Sequence, residues 1–67
     1  MTFGRRLRKL REKRGLSQEA LGRNTSPNRT SIQKLEAGER DPRLTTIRLL
    51  ALGLRVPPRE LIEWDAE

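Results

Sequence analysis

Apolar residues at helical spacing, interrupted by glycine, proline and capping residues, divide the sequence into five short segments. In the first, residues 3–14, Phe3, Leu7 and Leu10 recur at i, i+4 and i+7 and mark one narrow face of a helix. Gly15 follows, and glycine is the residue that most often ends a helix. The pattern predicts an amphipathic first helix that packs on a small core.

Two further helices are predicted close together, at residues 18–24 and 29–37. Ser17 and Asn28 precede them, and both residue types commonly cap helix N-termini. The connection, residues 24–27, is so short that the two helices must turn sharply on each other. Two short helices joined in this way form a helix-turn-helix.

The fourth segment, residues 44–54, has the stripe of a helix buried on one side, formed by Leu44, Ile47, Leu50, Ala51 and Leu54. After Pro57 and Pro58, a last helix is predicted at residues 59–64, since proline suits the first turn of a helix. No alternation typical of strands is found in the sequence. We expect an all-α fold, a compact bundle of five short helices in one domain that spans residues 1–67.

Composition narrows the classes of function. The 67 residues include no cysteine and no histidine, which excludes disulfides and thiolate metal sites and removes the commonest general base. A domain this small has little room for a pocket beside its core. We therefore expect no catalytic residue, no metal and no cofactor, and a protein that is not an enzyme.

Hydropathy gives an expectation about location. No apolar run approaches the roughly 20 residues that span a bilayer. The basic N-terminus is not followed by the apolar region of a secretory signal. We expect a cytoplasmic, nucleoid-associated protein with no membrane partner.

The net charge of +6 is unevenly distributed. Residues 1–16 contain seven lysines and arginines against one glutamate, whereas residues 60–67 contain four acidic residues and no basic one. A basic domain indicates a polyanionic partner, either nucleic acid or an anionic membrane surface. Three apolar positions make too narrow a face for a membrane-lying helix, which favours nucleic acid.

Several motifs together resemble one known family. They are the stretch RGLSQEAL at residues 14–21, the stretch SIQKLEAG at residues 31–38, Pro42 with Leu44, Ile47, Leu50 and Ala51, and the flanking residues Leu7, Leu10, Arg11, Leu54, Val56 and Leu61. In these residues the sequence resembles the phage repressor and Cro (XRE-like) family of helix-turn-helix DNA-binding domains, without gaps from about Gly4 to Ile62. The resemblance implies a lambda-repressor-like fold.

In such proteins the second helix of the motif lies in the major groove, with its N-terminal residues at the base edges. By resemblance, the base-contacting residues here are Arg29, Thr30 and Lys34, with Asn28 as the helix cap and a further candidate. Arginine and lysine can donate to guanine, and the threonine methyl can contact thymine. The alternative is that these side chains form an ordinary solvated helix face.

A second set of residues is expected at DNA phosphates. Gln18 lies at a helix N-terminus, where free N–H groups and the helix dipole favour a phosphate. Ser17 is first of all a cap, with any DNA contact secondary. Arg40 and Arg43 follow the recognition helix and are either phosphate contacts or ordinary exposed arginines.

The family resemblance assigns a structural role to one charged pair. Arg11 and Glu36 match positions that form a buried or half-buried ion pair, and we favour that role over DNA contact. The other cations of the first helix are expected to provide general electrostatic steering: Arg5, Arg6, Arg8 and Lys9.

Around the turn, the sequence departs from the family pattern. Ser26 and Pro27 replace a glycine and a small aliphatic residue, and a residue before proline is restricted to extended conformations. The left-handed conformation should therefore move to Asn24 or Thr25, or the turn must be reshaped. Gly22 replaces a common alanine on the face that packs against the recognition helix.

The fourth helix departs from the pattern at both ends. Arg43 stands where a capping serine or aspartate is usual, so Thr45 is expected to cap the helix later. Arg55 occupies a position where glycine often ends the helix. These differences bear on local geometry and stability, not on the fold.

The sequence thus favours a sequence-specific, double-stranded DNA-binding transcriptional regulator. A homodimer formed through the C-terminal helix would bind a (pseudo)palindromic operator, and Trp64 belongs either to the core or to that dimer surface. The alternative is a protein-interaction module, such as an antitoxin that binds a partner protein. RNA binding ranks third, because the chain lacks the stacking aromatics of single-stranded RNA readers.

Overall fold

The computed structural model describes residues 2–25 and 28–62, excluding the side chain of Asn24. Its helices are α1 (Phe3–Lys13), α2 (Gln18–Asn24), α3 (Arg29–Glu36), α4 (Leu44–Leu54) and α5 (Arg59–Ile62). No strand is found in these two ranges, and the all-α prediction is confirmed. Trp64 and the turn residues Ser26 and Pro27 lie outside the described residues.

The starts of α2 and α3 are fixed by the two predicted caps. Ser17 Oγ accepts a hydrogen bond from Ala20 N at 3.0 Å, and Asn28 Oδ1 accepts one from Ser31 N at 3.0 Å. Each cap satisfies a backbone donor that has no partner inside its helix. The start of α4 differs from the prediction: its N-cap is Arg43, without a side-chain capping bond, and the expected later cap at Thr45 is wrong because the helix already begins before it.

Three helices end in the left-handed conformation that reverses the chain direction. Gly15 and Gly38, with φ of 70° and 77°, follow α1 and α3 as predicted. Arg55 ends α4 with φ of 59° and ψ of 42°, although it has a side chain. It takes over the role that glycine usually has at this position, at a steric cost.

The start of the turn between α2 and α3 is extended. Asn24 is the last residue of α2, and Thr25 has φ of −137° and ψ of 163°, so neither adopts the left-handed conformation. Of the two expectations, the reshaped turn is the one that agrees with this backbone. A β-branched residue such as Thr25 is well suited to an extended conformation.

All five helices contribute to one core. Its fully buried large side chains are Leu7, Leu21, Ile32, Leu50, Leu54 and Leu61. Leu44 was predicted to belong to this core, but it is 67% exposed. The reason is its place on α4, since it shares an i, i+4, i+8 row with the exposed residues Arg48 and Leu52, away from the buried face.

Two arginines, one in α1 and one directly after it, contact the C-terminal half of the chain. Arg6 Nε donates to the backbone oxygen of Glu60 and Arg6 Nη2 to Glu60 Oε2, both at 2.7 Å. Arg14 Nη2 donates to the backbone oxygen of Arg55 at 3.1 Å. For Arg6, the expectation of a general steering charge is wrong, because its side chain is only 13% exposed and is committed to α5.

The conformation of Arg55 generates a stability prediction. Arg55→Gly should raise the free energy of unfolding by about 0.5–1 kcal/mol, since relief of the left-handed strain outweighs the greater freedom of glycine in the unfolded chain. The bond from Arg14 to the backbone oxygen is retained. Urea denaturation would measure the gain, and Arg55→Ala, which keeps the strain, should give none. Equal stabilities for the glycine and alanine variants would contradict the prediction.

Candidate nucleic-acid interface

One side of α3 is anchored in the core and the other faces solvent. Ile32 and Leu35 are 0% and 2% exposed. Arg29, Thr30 and Lys34, predicted as base-contacting residues, are all exposed. Thr30 and Lys34 are four residues apart and Arg29 is adjacent, so the three lie on neighbouring rows of the helix surface. The structure therefore brings the predicted base-contacting side chains together on the free side of α3.

Asn28 lies at the start of this surface and is also exposed. Its Oδ1 is occupied by the backbone of Ser31 at 3.0 Å, so its first role is structural. The cap holds the first turn of α3 in helical geometry, which is the turn that carries Arg29 and Thr30. Through this bond Asn28 orients the two side chains that follow it.

The start of α2 carries two of the predicted phosphate contacts. Ser17 Oγ accepts the capping bond, while its own hydroxyl hydrogen remains able to donate. Gln18 Nε2 donates to Glu36 Oε1 at 3.1 Å, a contact that was not predicted. An amide nitrogen has two N–H groups, so this bond leaves one donor for a phosphate and fixes the plane of the amide.

The other two predicted phosphate contacts, Arg40 and Arg43, lie in the loop after α3. Arg40 Nη1 donates to Ser31 Oγ at 3.3 Å, which brings its guanidinium beside α3. Arg43 is exposed at the N-cap of α4. Glu39 and Asp41 are exposed in the same loop and reduce its positive charge.

Arg11 and Glu36 form the core of a polar network behind this surface. Arg11 Nε donates to Glu36 Oε2 at 2.7 Å and Arg11 Nη2 to Glu36 Oε1 at 3.1 Å, a two-bond fork. Arg11 Nη1 donates to the backbone oxygen of Leu16 at 2.8 Å. The two charged side chains are only 11% and 5% exposed. With Gln18, this network links α1, α2 and α3.

The hydrogen bonds to Glu36 raise the pKa of Arg11 above its ordinary value, against the opposing effect of burial. A raised pKa in the folded state contributes stability that is fully present below the ordinary arginine pKa. That stability is lost only when the pH rises through the raised value. Arg11 therefore remains charged throughout the neutral range, and its share of the pair does not vary with pH there.

Comparison with known proteins agrees with this geometry. The family model described as a helix-turn-helix domain matches residues 2–64. The chain belongs to the helix-turn-helix domain family. The resemblance to the phage repressor and Cro (XRE-like) proteins is thereby confirmed.

Among solved structures, the chain is similar to the restriction-modification controller protein C.AhdI from Aeromonas hydrophila. The TM-score is 0.86 and the sequence identity 44%, over 88% of this chain and 86% of that protein. No curated protein matches the sequence. Family membership and the controller structure support a DNA-binding regulator as the function of this helix-turn-helix protein.

Over residues 2–25 and 28–62, no helix is long and apolar enough to cross a membrane. In the same part of the chain, no group of three or more histidine, cysteine, aspartate or glutamate side chains could hold a metal ion.

Sequence patterns did not indicate several side-chain contacts, among them Gln18 with Glu36, Arg40 with Ser31, Arg6 with Glu60, and Arg14 with the backbone oxygen of Arg55. These contacts join different parts of the chain, and no local pattern signals them. The one available signal was the match of Glu36 to an ion-paired position. A buried carboxylate has more acceptor sites than one arginine fills, which indicates a further donor nearby.

The ion pair of Glu36 with Arg11 leads to a prediction about stability. Glu36→Ala should lower the free energy of unfolding by about 3–5 kcal/mol, because it leaves the charge of Arg11 buried without its partner. Urea denaturation would measure the loss. The matched control is Glu12→Ala, which removes an exposed glutamate that pairs with Arg8 at 3.3 Å within α1 and should cost at most about 0.5 kcal/mol. Similar losses in both variants would contradict the structural role of Glu36.

Proposed function

We propose that this helix-turn-helix protein is a sequence-specific transcriptional regulator that inserts α3 into the major groove of double-stranded DNA. The observation that carries the proposal is the division of α3 into a buried side, Ile32 and Leu35, and an exposed side, Arg29, Thr30 and Lys34. A recognition helix requires both, since it must be rigidly held and still be free to enter a groove.

The exposed residues have the chemistry for direct readout. Arg29, at the first position of α3, can donate two hydrogen bonds to O6 and N7 of guanine, while Lys34 can donate to the same edge and Thr30 can contact the thymine methyl. The proposed phosphate contacts lie before and after α3 in the sequence. They are Ser17 and Gln18 on one side and Arg40 and Arg43 on the other. Phosphate contacts fix the position of the domain on the duplex, and base contacts supply the specificity.

We propose that the protein binds DNA as a homodimer formed through the C-terminal part of the chain. One short helix offers few base contacts, and two copies on half-sites about 34–36 Å apart would double them. In the described residues, the large exposed hydrophobics are Leu44, Leu52 and Ile62, all in α4 or α5. Of these three, Leu52 lines an open groove together with Leu49, Val56 and Pro58.

The proposed dimer surface includes residues of α4 as well as of the C-terminal helix, α5. Leu52 is 75% exposed on α4, and Ile62 is 47% exposed on α5. Leu52 shares one groove with the apolar side chains of Leu49, Val56 and Pro58, and a contiguous exposed apolar patch is typical of an association surface. Similarity to a restriction-modification controller favours control of such a system as the biological setting.

Arg29→Ala tests base readout. It should weaken binding to the preferred site by about 1–3 kcal/mol and relax the preference at one base pair, because two donors to guanine are lost. The control, Arg40→Ala, should weaken binding to all sequences alike and lower the slope of log K against log salt by about one. Binding titrations at several salt concentrations would measure both. A uniform loss for Arg29→Ala would reassign that residue to a phosphate.

Leu52→Asn tests the dimer. We expect the association constant to fall at least about tenfold, because burial of a leucine side chain contributes roughly 1.5–3 kcal/mol. Ile62→Asn should act in the same direction. Sedimentation equilibrium would measure association, with Ala37→Asn as the control at an exposed apolar residue outside this surface. Unchanged association in both C-terminal variants would exclude this surface.

A further inference from the structure

A glycine of α2 lies directly against the beginning of α3. A Cβ atom placed on Gly22 would lie 2.8 Å from Arg29 N and 3.1 Å from Asn28 C. Real Cβ atoms essentially never come closer than 3.0 Å to a non-bonded heavy atom elsewhere in the fold. The backbones of α2 and α3 therefore approach more closely here than any side chain at position 22 would allow.

The opposite end of α3 rests on a second glycine. A Cβ on Gly4 of α1 would lie 2.5 Å from Leu35 O and 2.6 Å from Glu36 O. Between these two contacts, Ile32 is fully buried in the core. The position of α3 is thus fixed at its start, its middle and its end.

The atoms facing Gly22 belong to the backbone, and this decides what an added methyl group would do. A flexible side chain can rotate away, whereas the peptide between Asn28 and Arg29 can move only with the first turn of α3. To restore ordinary van der Waals contact, which begins at 3.4 Å, the peptide would retreat by about 0.6 Å. That turn is the one that carries Arg29 and Thr30.

We propose that Gly22 is a positioning residue for DNA sequence recognition: the lack of a side chain sets how close the start of α3 lies to α2, and hence which base edges Arg29 and Thr30 reach. This inference rests on the proposed function. Paired hydrogen bonds to a base tolerate only a few tenths of an ångström, whereas phosphate contacts through long arginine side chains tolerate more. Gly22 should therefore affect sequence preference more than general DNA affinity.

The experiment compares Gly22→Ala with Gly53→Ala. Both place an alanine, the better helix former, inside a helix. A Cβ on Gly53 of α4 would meet Thr25 Cγ2 and lie 3.2 Å from Leu21 Cδ1, which are side-chain atoms outside α3. The control therefore introduces similar crowding without contact with the recognition helix. Both variants are also made in the Arg55→Gly background, so that lost stability does not prevent the measurement.

Crystal structures of the two variants and the wild type, superposed on α1 and α4, form the first measurement. We expect the Arg29 backbone to move by about half an ångström in Gly22→Ala and to stay in place in Gly53→Ala, since 0.6 Å relieves the contact. An unmoved Arg29 in Gly22→Ala would overturn the inference.

The second measurement is the selection of bound sequences from a random pool of DNA duplexes. Gly22→Ala should lose about tenfold in discrimination at the base pairs that Arg29 and Thr30 contact, with affinity for non-specific DNA unchanged within about twofold. Gly53→Ala should select the wild-type site. Full wild-type discrimination in Gly22→Ala would overturn the inference. A wild type that enriches no sequence would refute the proposed function instead, and the crystal structures would still decide whether Gly22 positions α3.

Discussion

An eight-residue helix is too short to persist in water by itself, and α3 is such a helix. Its stability has to come from packing on one side, because the other side must remain free if the helix is to enter a DNA groove. Ile32 and Leu35 supply that packing, and the cap at Asn28 supplies the start. The remaining support comes from α1 and α2, which are both packed against α3.

Glu36 adds hydrogen bonds to the apolar packing that stabilises α3. Its carboxylate accepts hydrogen bonds from Arg11 and from Gln18, so that one buried side chain joins three helices. A carboxylate is a suitable centre because its two oxygens accept several donors at once. The same network also orients the amide of Gln18, which is a proposed phosphate contact.

The positive charge of the chain is divided between two tasks. Arg6 and Arg11 of α1, and Arg14 directly after it, are committed to contacts within the protein. Arg29 and Lys34 of α3 point to solvent. A basic sequence therefore does not mean that every cation faces DNA. What distinguishes the two groups is the presence of an acceptor across the fold, either a carboxylate or a backbone oxygen at the end of a helix.

The sequence by itself determined the features that depend on neighbours along the chain. Caps, glycine stops and the i, i+3, i+4 spacing of leucines are local, which is why the five helices and most of the core could be predicted. The family motifs added the expected pairing of Arg11 with Glu36. The structure places those two side chains in contact, 25 residues apart in the chain.

Tertiary structure alone decided the rest. Leu44 has the spacing of a core residue but is exposed, because the direction of α4 relative to its neighbours selects which row is buried. Arg6 and Glu60 meet across 54 residues, a contact that no local pattern specifies. The close approach of Gly22 to Arg29 is likewise a property of two helices packed together. Spacing along a chain defines the faces of a helix, whereas only packing defines what each face meets.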